Sequence, residues 1–148
     1  MRYQAPTILV AESDPDERLL LRRALGESQF DGNTRFVQSK EELYAYLHRE
    51  GTYAPPAEAP FPAMLILDLH VIRQRVADLV VQLRHDPLTR RLPVVILTPP
   101  ISEIECKRCY DAGANAVVEK PIGYDEYRNL VATVLGFWFE VVTLPSTI

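Results

Sequence analysis

The sequence has no apolar run approaching the roughly 20 residues that span a bilayer, so no membrane span is expected. Its N-terminus, MRYQAPT, lacks an apolar signal region, which predicts a cytoplasmic protein. A basic surplus is also missing. Sixteen Lys and Arg face twenty Asp and Glu, giving a net charge of -4. With a pI near 5.4, no basic stripe for nucleic acid is expected. Cysteine is scarce: Cys106 and Cys109, spaced C-x-x-C, are the only two. A redox dithiol belongs at a helix N-terminus, where the thiolate is stabilised. These two fall inside a predicted helix, 102–112, and no third cysteine exists to build a zinc site. They read as structural thiols one turn apart. There is no internal repeat and no low-complexity segment. The 148 residues suit one domain, 1–148, with one core.

What the chain does have is an alternation of apolar and amphipathic stretches. TILVA (Thr7–Ala11) predicts a buried strand. Residues 15–26 predict a helix, with Leu19, Leu20, Leu21, Ala24 and Leu25 apolar and Gly26 near its end. Residues 34–38 predict a short strand. Ser39, with Glu42 three residues on, forms a capping box before a helix carrying Leu43, Tyr46 and Leu47. GTYAPPAEAPFP predicts a long loop. AMLILDL (63–69) is an apolar strand interrupted only by Asp68. PVVILT (93–98) and residues 115–119 complete the strands. Residues 76–85, 102–112 and 124–142 complete the helices. Five strands alternating with five helices predict an α/β fold, a doubly wound five-stranded parallel sheet with helices on both faces.

In such sheets the ligand site lies beyond the carboxyl ends of the strands. Glu12, Ser13, Asp68, Thr98 and Lys120 occupy those ends. An acid ending AMLILDL is costly unless paired or metal-bound. With Thr and Lys ending sister strands, the set marks a functional site. The stretch AESDPDE (residues 11–17) holds four acids. Asp14-Pro15-Asp16-Glu17 is a helix start: an N-cap acid, proline at N1 and acids at the positive end. Asp14 is therefore expected to cap the helix, leaving Glu12 for a metal.

These residues resemble the receiver domain of two-component response regulators. The 30-residue step from Asp68 to Thr98 and the 22-residue step from Thr98 to Lys120 are similar to that family's spacing. RHDPLTRRLPVVILT, YDAGANAVVEKP and FWFEVVTLP most resemble its small stand-alone members linked to phytochrome-type histidine kinases. The resemblance covers nearly the whole chain and implies a flavodoxin-like (receiver) architecture. It implies Asp68 as phosphoacceptor, Lys120 as the lysine that pairs with it, and Thr98 as the hydroxyl that reports the phosphoryl group. It implies Mg²⁺ held by Glu12, Asp68 and the backbone carbonyl of His70, with Ser13 at the position of a second acid. It also implies a cis Lys120-Pro121 bond and a histidine kinase as phosphoryl donor. A homodimer through the last helix and tail, 123–148, follows from it too. Such a receiver accepts a phosphoryl group and is not a dedicated enzyme. An aspartate-nucleophile hydrolase is disfavoured because LDLH lacks the second acid two residues on that would protonate a leaving group.

Several positions depart from the family pattern. Ser13 offers a neutral, weaker ligand where a carboxylate is usual. Ile72, Arg75 and Val76 stand at the Pro, Asp and Gly of L-P-x-x-D-G. Arg73 and Arg75 bring positive charge near Asp68, as a partial cation replacement, a partner surface or a solvated pair. Val117 replaces an aromatic switch, and Pro99-Pro100 stiffens the loop after Thr98. The alternative function is a pseudo-receiver, an interaction module that never cycles phosphate. In the last helix, apolar residues from Leu130 to Val142 cover nearly all sides, which calls for a second partner. Gly136 marks a kink or a close contact there.

Overall fold

The computed structural model of the chain describes residues 5–68 and 76–145. Five strands form one parallel sheet: β1 Thr7–Ala11, β2 Asn33–Val37, β3 Met64–Asp68, β4 Val94–Thr98 and β5 Ala116–Glu119. Their order is β2-β1-β3-β4-β5. The helices are α1 Pro15–Glu27, α2 Lys40–His48, α3 Val76–His85, α4 Glu103–Ala112 and α5 Tyr124–Gly136. The chain winds outward from β1 to β2, then crosses back to β3. This reversal puts the switch point between the carboxyl ends of β1 and β3.

Alternating side chains divide the interior in two. Leu9, Leu65, Leu67 and Ile96 pack with Leu43, Leu79 and Leu83 of α2 and α3. Ile8, Val10, Ile66 and Leu97 pack with Leu21, Tyr127 and Leu135 of α1 and α5. Every residue of β1, β3 and β4 is buried. That two-sided burial is why these strands read as continuous apolar runs. No helix among the described residues is long and apolar enough to cross a membrane.

The caps follow the local sequence. Asp14 Oδ1 accepts from the Asp16 amide at 2.8 Å and the Glu17 amide at 3.5 Å. Ser39 Oγ accepts from the Glu42 amide at 3.1 Å. The Glu42 carboxylate accepts from the Tyr53 hydroxyl at 3.2 Å and so ties α2 to the loop after it. Cys109 is buried and Cys106 half-buried on α4, both as free thiols. Burial pushes the Cys109 thiol up, away from reactivity.

Two expectations are corrected. The last α-helix ends at Gly136, not at residue 142, and a π-helical turn, Phe137–Val141, follows. In that turn the Val142 amide donates to the Phe137 carbonyl at 2.9 Å. Glycine weakens the α-helix there, and the wider turn brings Phe139 against Phe30, with ring centroids 4.9 Å apart. Among the described residues the cis peptide bond is Pro55–Pro56, not Lys120–Pro121. At Lys120–Pro121 the ordinary trans preference of X–Pro bonds, about 0.5–1 kcal/mol, prevails.

Candidate functional site

Three buried polar side chains gather at the carboxyl edge of the sheet. The Glu12 amide continues the ladder to Val37, donating to its carbonyl at 2.9 Å. Its side chain therefore stays inside, and Glu12 is 1% exposed. Asp68 ends β3 and is 4% exposed, and Thr98 ends β4 fully buried. The Lys120 amide donates to the Thr98 carbonyl at 2.7 Å, which holds Lys120 in line with β5. Lys120 Nζ contacts Asp68 Oδ2 and lies 3.2 Å from Glu17 Oε2.

Electrostatics couple these groups. Burial pushes the Glu12 carboxyl up to about 8, helped by its hydrogen bond with Asp68 and by the Asp68 charge. The Asp14 amide, donating to Glu12 Oε1 at 2.9 Å, and the Lys120 charge offset only part of this. Burial also opposes the Lys120 charge, but Asp68 and Glu17 outweigh it and raise the ammonium. Near neutral pH the cluster thus holds a lysine cation and a carboxyl pair that retains a proton.

The sign of the linkage is set by Glu12. Its carboxyl ordinarily titrates near 4.5 and is raised to about 8 in the fold. Its stabilising contribution is therefore full below 4.5 and is lost as pH rises through 8. Glu12→Gln, a neutral isostere, should flatten the fall in thermal midpoint between about pH 5 and pH 8. Thermal melts across that range check this. Parallel profiles for wild type and variant would contradict it.

A proton is one way to relieve two adjacent carboxylates; a cation is another. Glu12 and Asp68 supply oxygen donors for a hard cation. Ser13 is exposed, and the Asp14 carboxylate faces the amides of α1. Among the described residues no group of three or more His, Cys, Asp or Glu gathers around a point. Two carboxylates with the remaining positions left to water fit Mg²⁺, which keeps several waters when bound.

Other predicted positions stand as follows. The Thr98 hydroxyl donates to the Pro99 carbonyl at 2.7 Å, along its own chain. Val117 is half-buried, and its amide donates to the Tyr110 hydroxyl at 3.0 Å. Val76, at the family's glycine position, is the first residue of α3 and is fully buried. His70, Ile72, Arg73 and Arg75 lie outside the described residues.

Two residues were missed by the sequence reading. Glu17 was expected only to favour the start of α1, yet it reaches Lys120, 103 residues away. No local pattern signals that pairing. Tyr127 is 2% exposed, and its hydroxyl has no hydrogen-bond partner among the described residues. Burial pushes its phenol up, and the charges of Glu17, Asp68 and Glu12 add to this. The step Tyr127, Val131, Leu135 along α5 was a legible inner stripe. The polar tip on that stripe was the available clue.

No protein-family profile matches the chain. Individual proteins do. The chain is 27% identical to response regulator Rcp1 of Synechocystis sp. over 139 residues, 94% of this chain and 92% of that protein. The manganese-bound form of Rcp1 superposes with a TM-score of 0.83 at 25% identity, over 95% of this chain and 99% of that one. A response regulator in red light signaling of R. palustris is 30% identical with a TM-score of 0.89, covering 96% of this chain and 99% of that one. Phosphorylated RcpA, a cyanobacterial phytochrome response regulator, is 27% identical with a TM-score of 0.84, over 97% and 100% of the two chains. The five-stranded order, the polar groups at its carboxyl edge and this near-complete similarity lead to one assignment: the chain belongs to the response regulators of two-component signalling, as a receiver domain.

Proposed function

We propose that this receiver accepts a phosphoryl group on Asp68 from a histidine kinase and passes the change on through protein contacts. The observation that carries this reading is the contact of Lys120 Nζ with buried Asp68, beside Glu12, at the switch point of the sheet. An Asp68 oxygen attacks the phosphorus of a phosphohistidine. A P–O bond forms as the P–N bond breaks, and the electron pair leaves with the imidazole, which takes up a proton from water. Lys120 then pairs with a phosphoryl oxygen through a charge-assisted hydrogen bond. The Thr98 hydroxyl, now on the Pro99 carbonyl, exchanges that acceptor for a phosphoryl oxygen by side-chain rotation. Mg²⁺, held by Glu12 and Asp68, would screen the phosphoryl oxygens when bound. The manganese-bound state of Rcp1 and the phosphorylated state of RcpA support the reading by similarity.

Ser13→Asp supplies a carboxylate at the rim of this site and should tighten Mg²⁺ binding by at least about tenfold. Isothermal titration measures it. Equal affinity in variant and wild type would mean that position 13 does not face the cation.

A pseudo-receiver reading draws on the exposed Ser13 and on the use of Asp14 as a helix cap. Label transfer separates the two. A radiolabelled, autophosphorylated phytochrome-type histidine kinase is mixed with the chain. Label moving to the chain as a base-labile acyl phosphate supports the acceptor. Label retained by the kinase supports the pseudo-receiver.

Output is proposed to run through a homodimer built on the last helix. Phe137 is 53% and Val141 71% exposed on the π-helical turn, a costly apolar surface to leave in water. Val141→Asp should weaken self-association by about tenfold or more, seen by sedimentation. An unchanged assembly state would refute the contact.

A further inference from the structure

A second cluster lies at the opposite, amino edge of the sheet. A cavity of about 750 Å³ there has Leu47, Phe61, Leu88, Leu92 and Pro93 on its walls, together with Arg49 and Arg91. An adjoining cavity of about 460 Å³ shares Arg49, Ala59 and Pro60 and adds Arg35 and Glu58. The two make one trough under the long loop that follows α2. Among the described residues none of Arg35, Arg49 and Arg91 forms an ion pair. His48, also on the wall, is compensated by Asp86 at 2.6 Å. Arg49 donates Nε to the Tyr53 carbonyl at 2.8 Å and Nη2 to the Ala57 carbonyl, so it braces the loop. Arg35 Nε is buried and has no acceptor among the described residues. Burying an unsatisfied donor of this kind costs about 1–3 kcal/mol. On a chain of net charge -4, three guanidinium groups against one carboxylate, Glu58, make this lining locally basic.

We infer that the trough docks an extended acidic segment of a partner protein. Its carboxylates would meet Arg35, Arg49 and Arg91, and its apolar side chains would lie against Phe61 and Leu88, the latter 49% exposed. Guanidinium groups pair with carboxylates in planar, bidentate fashion. Their spread over two adjoining cavities matches a chain that runs along the trough better than a compact molecule. Prolines and an aromatic ring on the walls suit an extended backbone. Nucleic acid fits less well. The overall negative charge opposes a long polyanion, and a floor of leucine and proline gives bases little to stack on. The site is remote from Asp68, so the inference stands apart from phosphoryl transfer.

The test uses the full chain and three fluorescein-labelled probes. One is a peptide of about ten glutamate, leucine and proline residues. The second replaces each glutamate with lysine, and the third is an oligothymidylate. Anisotropy should show saturable binding of the acidic peptide alone. Arg91→Glu, at an exposed side chain, should weaken it at least about tenfold, and Arg35→Gln should weaken it as well. Unfolding curves and acetyl phosphate labelling of Arg91→Glu should match wild type. Equal binding of the basic peptide, no saturable binding, or indifference to Arg91→Glu would overturn the inference. Preferred binding of the oligothymidylate, lost in the same variants, would overturn it in favour of a nucleic-acid site.

Discussion

Replacing Lys120 with methionine is expected to destabilise the fold by about 3–5 kcal/mol near pH 8. The lysine side chain is 11% exposed and the Asp68 side chain 5%. Methionine fills the volume but removes the ammonium that contacts buried Asp68. Breaking one side of a buried pair is far costlier than removing both, because a charge is stranded. Glu17, with its side chain 37% exposed, is hydrated and loses little. The double variant Asp68→Asn/Lys120→Met should therefore recover most of the loss. Lower pH should soften the single variant, since Glu12 is raised to about 8 and is already protonated near pH 6. Urea unfolding at the two pH values measures these effects. A loss below about 1 kcal/mol at pH 8 would place Lys120 among ordinary surface ion pairs.

Asp68→Asn is expected to abolish phosphoryl incorporation and to lower the pH range in which Glu12 ionises. The amide has no lone pair that can displace a phosphorylated imidazole and form an acyl phosphate. Its carboxylate charge and hydrogen bond are two of the causes that raise Glu12. Removing the charge lets Glu12 fall back toward its ordinary range, while Lys120 keeps Glu17 as a partner. The two readouts are independent. Residual label on Glu12 or Thr98 in this variant would contradict a unique acceptor. A pH profile of stability unchanged from wild type would contradict the picture of two carboxylates in conflict.

The legible parts of this fold were those whose cause is local. Runs such as TILVA and PVVILT are buried on both faces, so apolar composition alone located β1 and β4 to within a residue. The N-caps Asp14 and Ser39 were legible because the amides that donate to them lie two or three residues away. The gathering of Glu12, Asp68, Thr98 and Lys120 was legible, since strand ends in a parallel sheet converge on one edge. What escaped depends on distant partners. The Glu17–Lys120 pair joins the first turn of α1 to the end of β5, and no spacing rule connects them. The π-helical turn after Gly136 depends on Phe139 finding Phe30, a contact between the two ends of the fold. The trough at the amino edge gathers Arg35, Arg49 and Arg91 from three separate segments, each unremarkable in sequence.

The central claim is that Asp68 is a working acceptor despite the exposed serine at position 13. Its most direct test is mass spectrometry of the full chain after incubation with acetyl phosphate and Mg²⁺. The account predicts one added phosphoryl group per chain, mapped to Asp68, cleaved by hydroxylamine and absent from Asp68→Asn. No adduct at saturating donor and Mg²⁺, or an adduct mapped to another residue, would contradict it.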